Sequence, residues 1–316
     1  MATAFGGPEV LEFRSIEGKA PAPGEVRIQQ TAIGVNYIDV YIRKGLYRMI
    51  EPPAPIGMEA AGVVVESNSN RFRVGDRVAY ACPPPGAYVT MRTMSADQLV
   101  LLPDDVNEET AAAVMLKGMT AEYLLHRTHR VRPGDAVLVH AAAGGVGLLL
   151  CQWAKALGAR VIGTVSSEAK AELARASGCD LPIVTRNYRF AAQVKSFTNG
   201  KGADVIYDGL GKDAAAENLE ALAMRGHWVS YGQASGPLEV TTHSLSGKSA
   251  TLSHPVLFHY TAERPMLNEM AGKVFNALRD GILRVDIRHR YPLAAAADAH
   301  RDLEARRTTG PLLLLP

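Results

Sequence analysis

The chain has 316 residues, 47% hydrophobic and 21% charged, and its 34 lysines and arginines nearly balance 32 aspartates and glutamates, leaving a net charge of +2. That composition excludes a disordered chain and provides no bulk attraction to nucleic acid or anionic lipid, so no nucleic-acid partner is expected. The scattered Cys82, Cys151 and Cys179 argue for free thiols in a reducing compartment. Residues 1–8 lack the basic and apolar regions of a secretory signal, so a cytoplasmic protein is expected.

From Glu25 to about Pro103 the apolar runs are short: EVRIQQTAIGV, AGVVVES, RVAYAC, AYVTMRT and LVLLP. Turn chemistry such as Val74-Gly75-Asp76-Arg77 and Pro83-Pro84-Pro85-Gly86 separates them, which predicts a β-rich domain. From Asp135 the rhythm changes, and six candidate strands (AVLVHAA, RVIGTV, LPIVT, DVIYDG, GHWVSYG and SATLSH) alternate with helical segments such as EAKAELARAS. Such alternation implies α/β architecture, a doubly wound parallel sheet covered on both faces. The apolar stretch Ala136–Ala154 is interrupted by His140 and three glycines, so no membrane insertion is expected. Beyond His254 the pattern predicts a helix near Pro265–Arg279, a strand around Arg284–Arg288, a helix over Ala294–Arg306 and a terminal strand Leu312–Leu315, a tail that should rejoin the β-rich half.

The main chemical signal is His140-Ala141-Ala142-Ala143-Gly144-Gly145-Val146-Gly147, which follows a strand and opens a helix inside a βαβ unit of roughly 30 residues, the context a dinucleotide fingerprint requires. Ala142 replaces the first fingerprint glycine. Gly144 would let the backbone approach a pyrophosphate, Gly147 would let helix and strand pack closely, and the helix N-terminus would bind the anion, making Ala143–Gly147 the candidate cofactor loop. At the end of the next strand, Ser166 stands where an NAD enzyme places an acid. Ser166 and Ser167, with Lys170 one turn on, suit a 2′-phosphate and hence NADPH. Glu168 opposes that reading, and the alternative is that Ser167 caps a helix while Lys170 is solvated. His126 and His129 lie in the basic run His126–Arg132, which reads as a solvated helix end rather than a metal pair.

Several long segments carry a family resemblance: AIGVNYIDVYIRKGLY (32–47), GMEAAGVV (57–64), LKGMTAEYLL (116–125), HAAAGGVGLLLCQWAKALGA (140–159) and the closing TTGPLLLLP. The chain resembles the zeta-crystallin-like NADPH:quinone oxidoreductases, the zinc-free branch of the medium-chain dehydrogenase/reductase superfamily. The resemblance implies a GroES-like catalytic domain (1–122), a Rossmann NADP-binding domain (123–257) and a C-terminal segment (258–316) completing the first. It further implies NADPH held between the domains, a small-molecule quinone as substrate, and a homodimer formed near Thr251–His254.

Zinc-dependent relatives place Cys and His ligands where this chain has Asn36 and Met58, and neither can replace thiolate or imidazole on zinc, so no metal is expected. Without a Lewis acid the hydride acceptor must itself be activated, as quinones and enones are. By resemblance Asn36 and Tyr47 line the catalytic cleft. Lys117, Thr120, Tyr231, Gly232, Ser253, His254 and an Arg306 in the final helix approach the cofactor, although relatives more often carry Arg at position 254. They also place a tyrosine near the adenosine phosphate where this chain has Thr185, with Tyr188 three residues late, so NADPH preference could be weaker than usual. The alternatives are an NADPH-dependent 2-alkenal or enone reductase and, from another class, a zeta-crystallin-like RNA-binding or structural protein. The basic clusters at 126–132, 288–290 and 305–307 lack interleaved aromatics and argue against RNA.

Overall fold

The computed structural model describes residues 1–316. The chain opens with β1 (Glu25–Val35), α1 (Tyr37–Arg43), β2 (Glu59–Ser67), β3 (Arg77–Ala81), β4 (Met91–Ser95), β5 (Val100–Leu101) and α2 (Glu108–Tyr123). Next come β6 (Ala136–Val139), α3 (Gly145–Ala156), β7 (Arg160–Val165), α4 (Glu168–Ala176), β8 (Leu181–Val184), α5 (Ala191–Phe197), β9 (Ala203–Asp208), α6 (Ala215–Ala221), β10 (Leu222–Ser230), α7 (Thr242–Ser246) and β11 (Thr251–Ser253). It closes with α8 (Leu257–Tyr260), α9 (Arg264–Arg279), β12 (His289–Pro292), α10 (Ala296–Glu304) and β13 (Leu312–Leu315).

Two compact units result. The first comprises Met1–Met119, Phe258–Arg279 and Val285–Pro316; the second comprises Thr120–Leu257 and Asp280–Arg284. In the first unit a sheet runs β12-β13-β1-β2-β3-β5, with β4 also pairing with β1. The leucine run of β13 belongs here because it pairs antiparallel with β1, Leu314 opposite Ile33 and Leu312 opposite Val35. Leu312 and Leu314 join Val26, Ile28, Ile33, Ile56, Met58 and Tyr80 in one buried core. The C-terminal strand therefore fixes the end of β1, the point from which Asn36 leaves the sheet.

The second unit is a wholly parallel sheet of order β11-β10-β9-β6-β7-β8. Its central strand β6 is a fully buried apolar run, as burial on both faces requires, and Leu138, Ile162, Ile206 and Trp228 meet in the sheet's core. The strand order reverses between β6 and β9, the switch point where doubly wound sheets bind ligands beyond their strand carboxyl ends. The α/β fold read from the sequence is the fold observed. No helix is long and apolar enough to cross a membrane.

Two expectations for the tail are corrected. Arg284–Arg288 is not a strand: the Arg284 N–H is taken by Gln152 Oε1 at 2.7 Å, Arg288 pairs with Asp286 at 2.5 Å, and ladder pairing begins only at His289. The final helix runs Ala296–Glu304 rather than Ala294–Arg306, because Arg306 takes a left-handed conformation, φ 58°, which ends α-helical hydrogen bonding.

Candidate active site

In the first unit, Asn36 caps α1 just beyond β1, and its surroundings form a buried polar cluster. Asn36 Nδ2 donates to Glu59 Oε2 at 2.8 Å, Lys117 Nζ donates to the same oxygen at 2.9 Å, and the Leu116 N–H donates to Glu59 Oε1 at 2.6 Å. Glu59 and Lys117 are 0% and 5% exposed, so two donors and one ammonium neutralise a carboxylate that burial would otherwise penalise heavily. Gly34 makes this possible: a Cβ there would lie 2.2 Å from Glu59 Oε2 and 2.3 Å from the Ala112 carbonyl.

A second arm leaves Asn36 through its backbone. The Asn36 N–H donates to Asp39 Oδ2 at 2.8 Å, as in the reaching-back half of a capping box, and the Tyr88 hydroxyl donates to the same oxygen at 3.1 Å. Tyr88 meets His300 Nε2 at 2.9 Å, and Arg43 Nη1 meets His300 Nδ1 at 3.0 Å. Arginine only donates, so Nδ1 accepts and the proton sits on Nε2 facing Tyr88. Burial pushes His300 down to about 3, which keeps the imidazole neutral, and pushes Asp39 up to about 7 against the pull of Asn36 and Tyr88. The remaining oxygen, Asp39 Oδ1, is buried without a partner. Arg43, itself 0% exposed, ends the arm on Glu304 at 2.6 Å. Tyr47 lies near these residues in sequence, and its ring is edge-on to Tyr41 at 5.2 Å.

In the second unit, β6 runs through His140 into the glycine loop and α3. Ala141 has φ 49°, and its carbonyl accepts the Gly144 N–H at 2.7 Å. A Cβ on Gly147 would lie 2.3 Å from that carbonyl and 2.8 Å from Ala142 Cα, so only glycine permits this closeness of helix and loop. Ala142 stands where the fingerprint has glycine because Gly163 on β7 leaves room for its methyl; a Cβ on Gly163 would meet it at 2.6 Å. Gly144, the N-cap of α3, receives no side-chain cap, and the first turn holds no acid. Backbone amides at an uncapped helix start beside a side-chain-free approach fit a pyrophosphate.

These features can be set beside known proteins. Residues 22–133 match the alcohol dehydrogenase GroES-like domain family, and residues 145–272 match the zinc-binding dehydrogenase family. A quinone oxidoreductase of Pseudomonas aeruginosa is 48% identical over 99% of this chain and 98% of its own length. The chain belongs to the quinone oxidoreductase family. A 2-haloacrylate reductase of a Burkholderia species is 43% identical over 98% of this chain and 96% of its own. The crystal structure of Escherichia coli quinone oxidoreductase complexed with NADPH superposes with a TM-score of 0.95 at 41% identity, covering 99% of this chain and 98% of that one.

Within this member of the quinone oxidoreductase family, the residues named from sequence divide into groups. Asn36 and Lys117 share Glu59, and Thr120 lies one turn beyond Lys117 on α2, 6% exposed. Lys117 is expected near phosphates, yet its ammonium is committed to Glu59. Ser166 and Ser167 are half-buried at the end of β7, and Ser167 also caps α4, its Oγ accepting the Lys170 N–H at 3.4 Å. Tyr231 and Gly232 follow β10, where the Tyr231 N–H donates to the Asp208 carbonyl at 2.8 Å. Ser253 Oγ meets His227 Nε2 at 2.7 Å, while His254 is exposed. Arg306 is exposed beyond the helix expected to carry it. Tyr188, with φ 58°, packs against the apolar cluster around Phe190 and Val194.

Met58 is fully buried in the apolar core, so the position of the zinc relatives' histidine offers no ligand. His126 is edge-on to Trp153 at 5.1 Å and His129 is tilted against His227 at 5.6 Å, so the two rings serve different neighbours. Sequence reading misses Glu59, Asp39, Tyr88 and His300. None of the four carries a sequence signal of its own: Glu59 merely adjoins Met58, and its partner Lys117 lies 58 residues on.

Proposed function

We propose that the chain is an NADPH-dependent quinone reductase that transfers hydride without a metal. The observation that carries this reading is the near-full-length match to a quinone oxidoreductase complexed with NADPH, on a chain whose glycine loop fits a pyrophosphate. When bound, NADPH supplies the hydride. The chain's part is to hold and orient. The loop Ala143–Gly147 receives the pyrophosphate; Ser166, Ser167 and Lys170 receive the 2′-phosphate; Lys117, Thr120, Tyr231, Gly232, Ser253, His254 and Arg306 complete the cofactor's surroundings. Asn36 and Tyr47 offer an amide and a phenol to the quinone oxygen as negative charge develops on it. Asn36 is held at three points, through Nδ2 by Glu59 and, at 3.4 Å, by the Gly34 carbonyl, and through its backbone by Asp39, which fixes the amide before substrate arrives.

The 2-haloacrylate reductase relative favours a second reading, reduction of an activated alkene, which requires a proton delivered to carbon. Steady-state rates with NADPH and either 1,4-benzoquinone or a 2-alkenal separate the two. The quinone reading predicts much the higher kcat/KM for benzoquinone, and turnover of the alkenal alone would replace it. A homodimer through β11 fits an edge strand paired only with β10 inside its sheet, and three free, buried cysteines fit a cytoplasmic setting.

A further inference from the structure

His140 directly follows β6, and it is 0% exposed. Its Nε2 lies 2.6 Å from Asn218 Oδ1 on α6 and its Nδ1 lies 2.7 Å from Thr164 Oγ1 on β7. Asn218 Nδ2 donates to Asp208 Oδ2 at 3.1 Å, an oxygen that also accepts Trp228 Nε1 at 3.0 Å. The other Asp208 oxygen accepts the N–H groups of Leu210 at 2.7 Å and Gly211 at 3.0 Å. Because the Asn218 amide gives its N–H to Asp208, its oxygen must accept, so His140 Nε2 carries the proton. Burial pushes His140 below its ordinary value and keeps it neutral, so Nδ1 accepts the Thr164 hydroxyl. Every partner in this chain has a determined direction.

The backbone runs beside the same chain. The His140 N–H donates to the Tyr207 carbonyl and the Ala142 N–H to the Thr164 carbonyl, each at 3.1 Å. The imidazole thus joins the carboxyl end of β6 directly to β7 and, through Asn218, to β9, alongside these backbone bonds. β6 leads directly into the glycine loop, β7 into Ser166–Lys170, and β9 into the Gly209–Gly211 turn, whose Asp208 carbonyl holds Tyr231. If stability alone were at stake, apolar residues of similar volume would serve as well as a buried polar chain. What directional hydrogen bonds add is a single relative placement of the three loops.

We propose that His140 is a positioning residue for NADPH, locking the loops that receive pyrophosphate and 2′-phosphate in one geometry, with its Thr164 link governing discrimination between NADPH and NADH. This rests on the assignment of Ala143–Gly147 and Ser166–Lys170 to the cofactor. The test measures binding of NADPH and NADH by calorimetry, with steady-state kinetics and thermal unfolding, for His140→Leu, Thr164→Val and Gly144→Val. His140→Leu weakens NADPH binding by about tenfold, and the loss falls on KM for NADPH rather than on kcat. Thr164→Val, nearly the same shape, weakens NADPH by about threefold and NADH less, narrowing the preference.

Unchanged NADPH and NADH affinities in both variants, whatever happens to their melting temperatures, would reduce His140 to a structural residue and overturn the proposal. If His140→Leu does not fold, Thr164→Val decides by itself, and wild-type affinities there are sufficient to overturn it. Gly144→Val keeps the two failures apart. Its φ of −82° is one that any residue adopts, although an added Cβ would press on the Ala141 carbonyl at 3.1 Å, so wild-type NADPH affinity in that variant would mean that the loop assignment, and the proposal with it, is wrong.

Discussion

Lys117 and Glu59 hold each other in place where water cannot, so removing one strands the other. Lys117→Met is expected to destabilise the protein by about 3–5 kcal/mol, because it leaves a buried carboxylate short of its cation. The double variant Glu59→Gln/Lys117→Met should recover much of that loss in urea unfolding, and additive losses would show that the pair is not coupled. Asp39 and His300 make a pH prediction with opposite signs. The folded-state value of Asp39, about 7, lies above its ordinary value of 3.8, so its contribution is full below about pH 4 and is lost as pH rises through 7. His300, lowered from 6.5 to about 3, contributes above its ordinary value and loses that contribution as pH falls. The two slopes oppose each other in the wild type. In Asp39→Asn only the histidine slope survives, so the melting temperature of the wild type should rise relative to that of the variant as pH falls from 8 to 5. An equal gap at both pH values would show that Asp39 does not titrate as described. Asn36 is legible in the sequence because it departs from a thiolate position. Glu59 is not, since a lone glutamate in a strand has no pattern until the fold brings Lys117, 58 residues later, against it.

At the scale of elements, the glycine loop depends on a neighbour that no fingerprint includes. Gly163, in the middle of β7, leaves the space that Ala142 fills, and Cys179 Sγ would lie 2.9 Å from any Cβ added there. Gly163→Ala should therefore cost about 1–3 kcal/mol by overpacking and weaken NADPH binding by displacing the loop. A fully stable variant with wild-type NADPH affinity would refute that linkage. The loop itself is legible from strand, glycines and helix, but the compensation at Gly163 is not, because it joins two strands across the sheet. Element ends are the other illegible part. The β-prone run near Arg284–Arg288 is satisfied by an exposed ion pair and by Gln152, and α10 stops early where Arg306 turns left-handed.

Over the whole molecule, strand and helix alternation makes the doubly wound sheet readable, and the apolar tail Leu312–Leu315 finds its place opposite β1. What a single chain leaves exposed is β11, three residues long and paired on one side with β10. Sedimentation of the wild type should show twice the chain mass. Thr251→Pro, which takes an N–H out of this three-residue strand, should shift it toward monomer, while a monomeric wild type would dispose of edge pairing as an assembly mode. The central claim is that this chain passes hydride from NADPH to a quinone and recognises the 2′-phosphate beside Ser166, Ser167 and Lys170. The most direct measurement is anaerobic oxidation of NADPH and of NADH by 1,4-benzoquinone, for wild type and Lys170→Ala. The account predicts turnover favouring NADPH, with Lys170→Ala raising KM for NADPH by about tenfold and leaving NADH nearly unaffected. Tight NADPH binding without turnover of benzoquinone would contradict it.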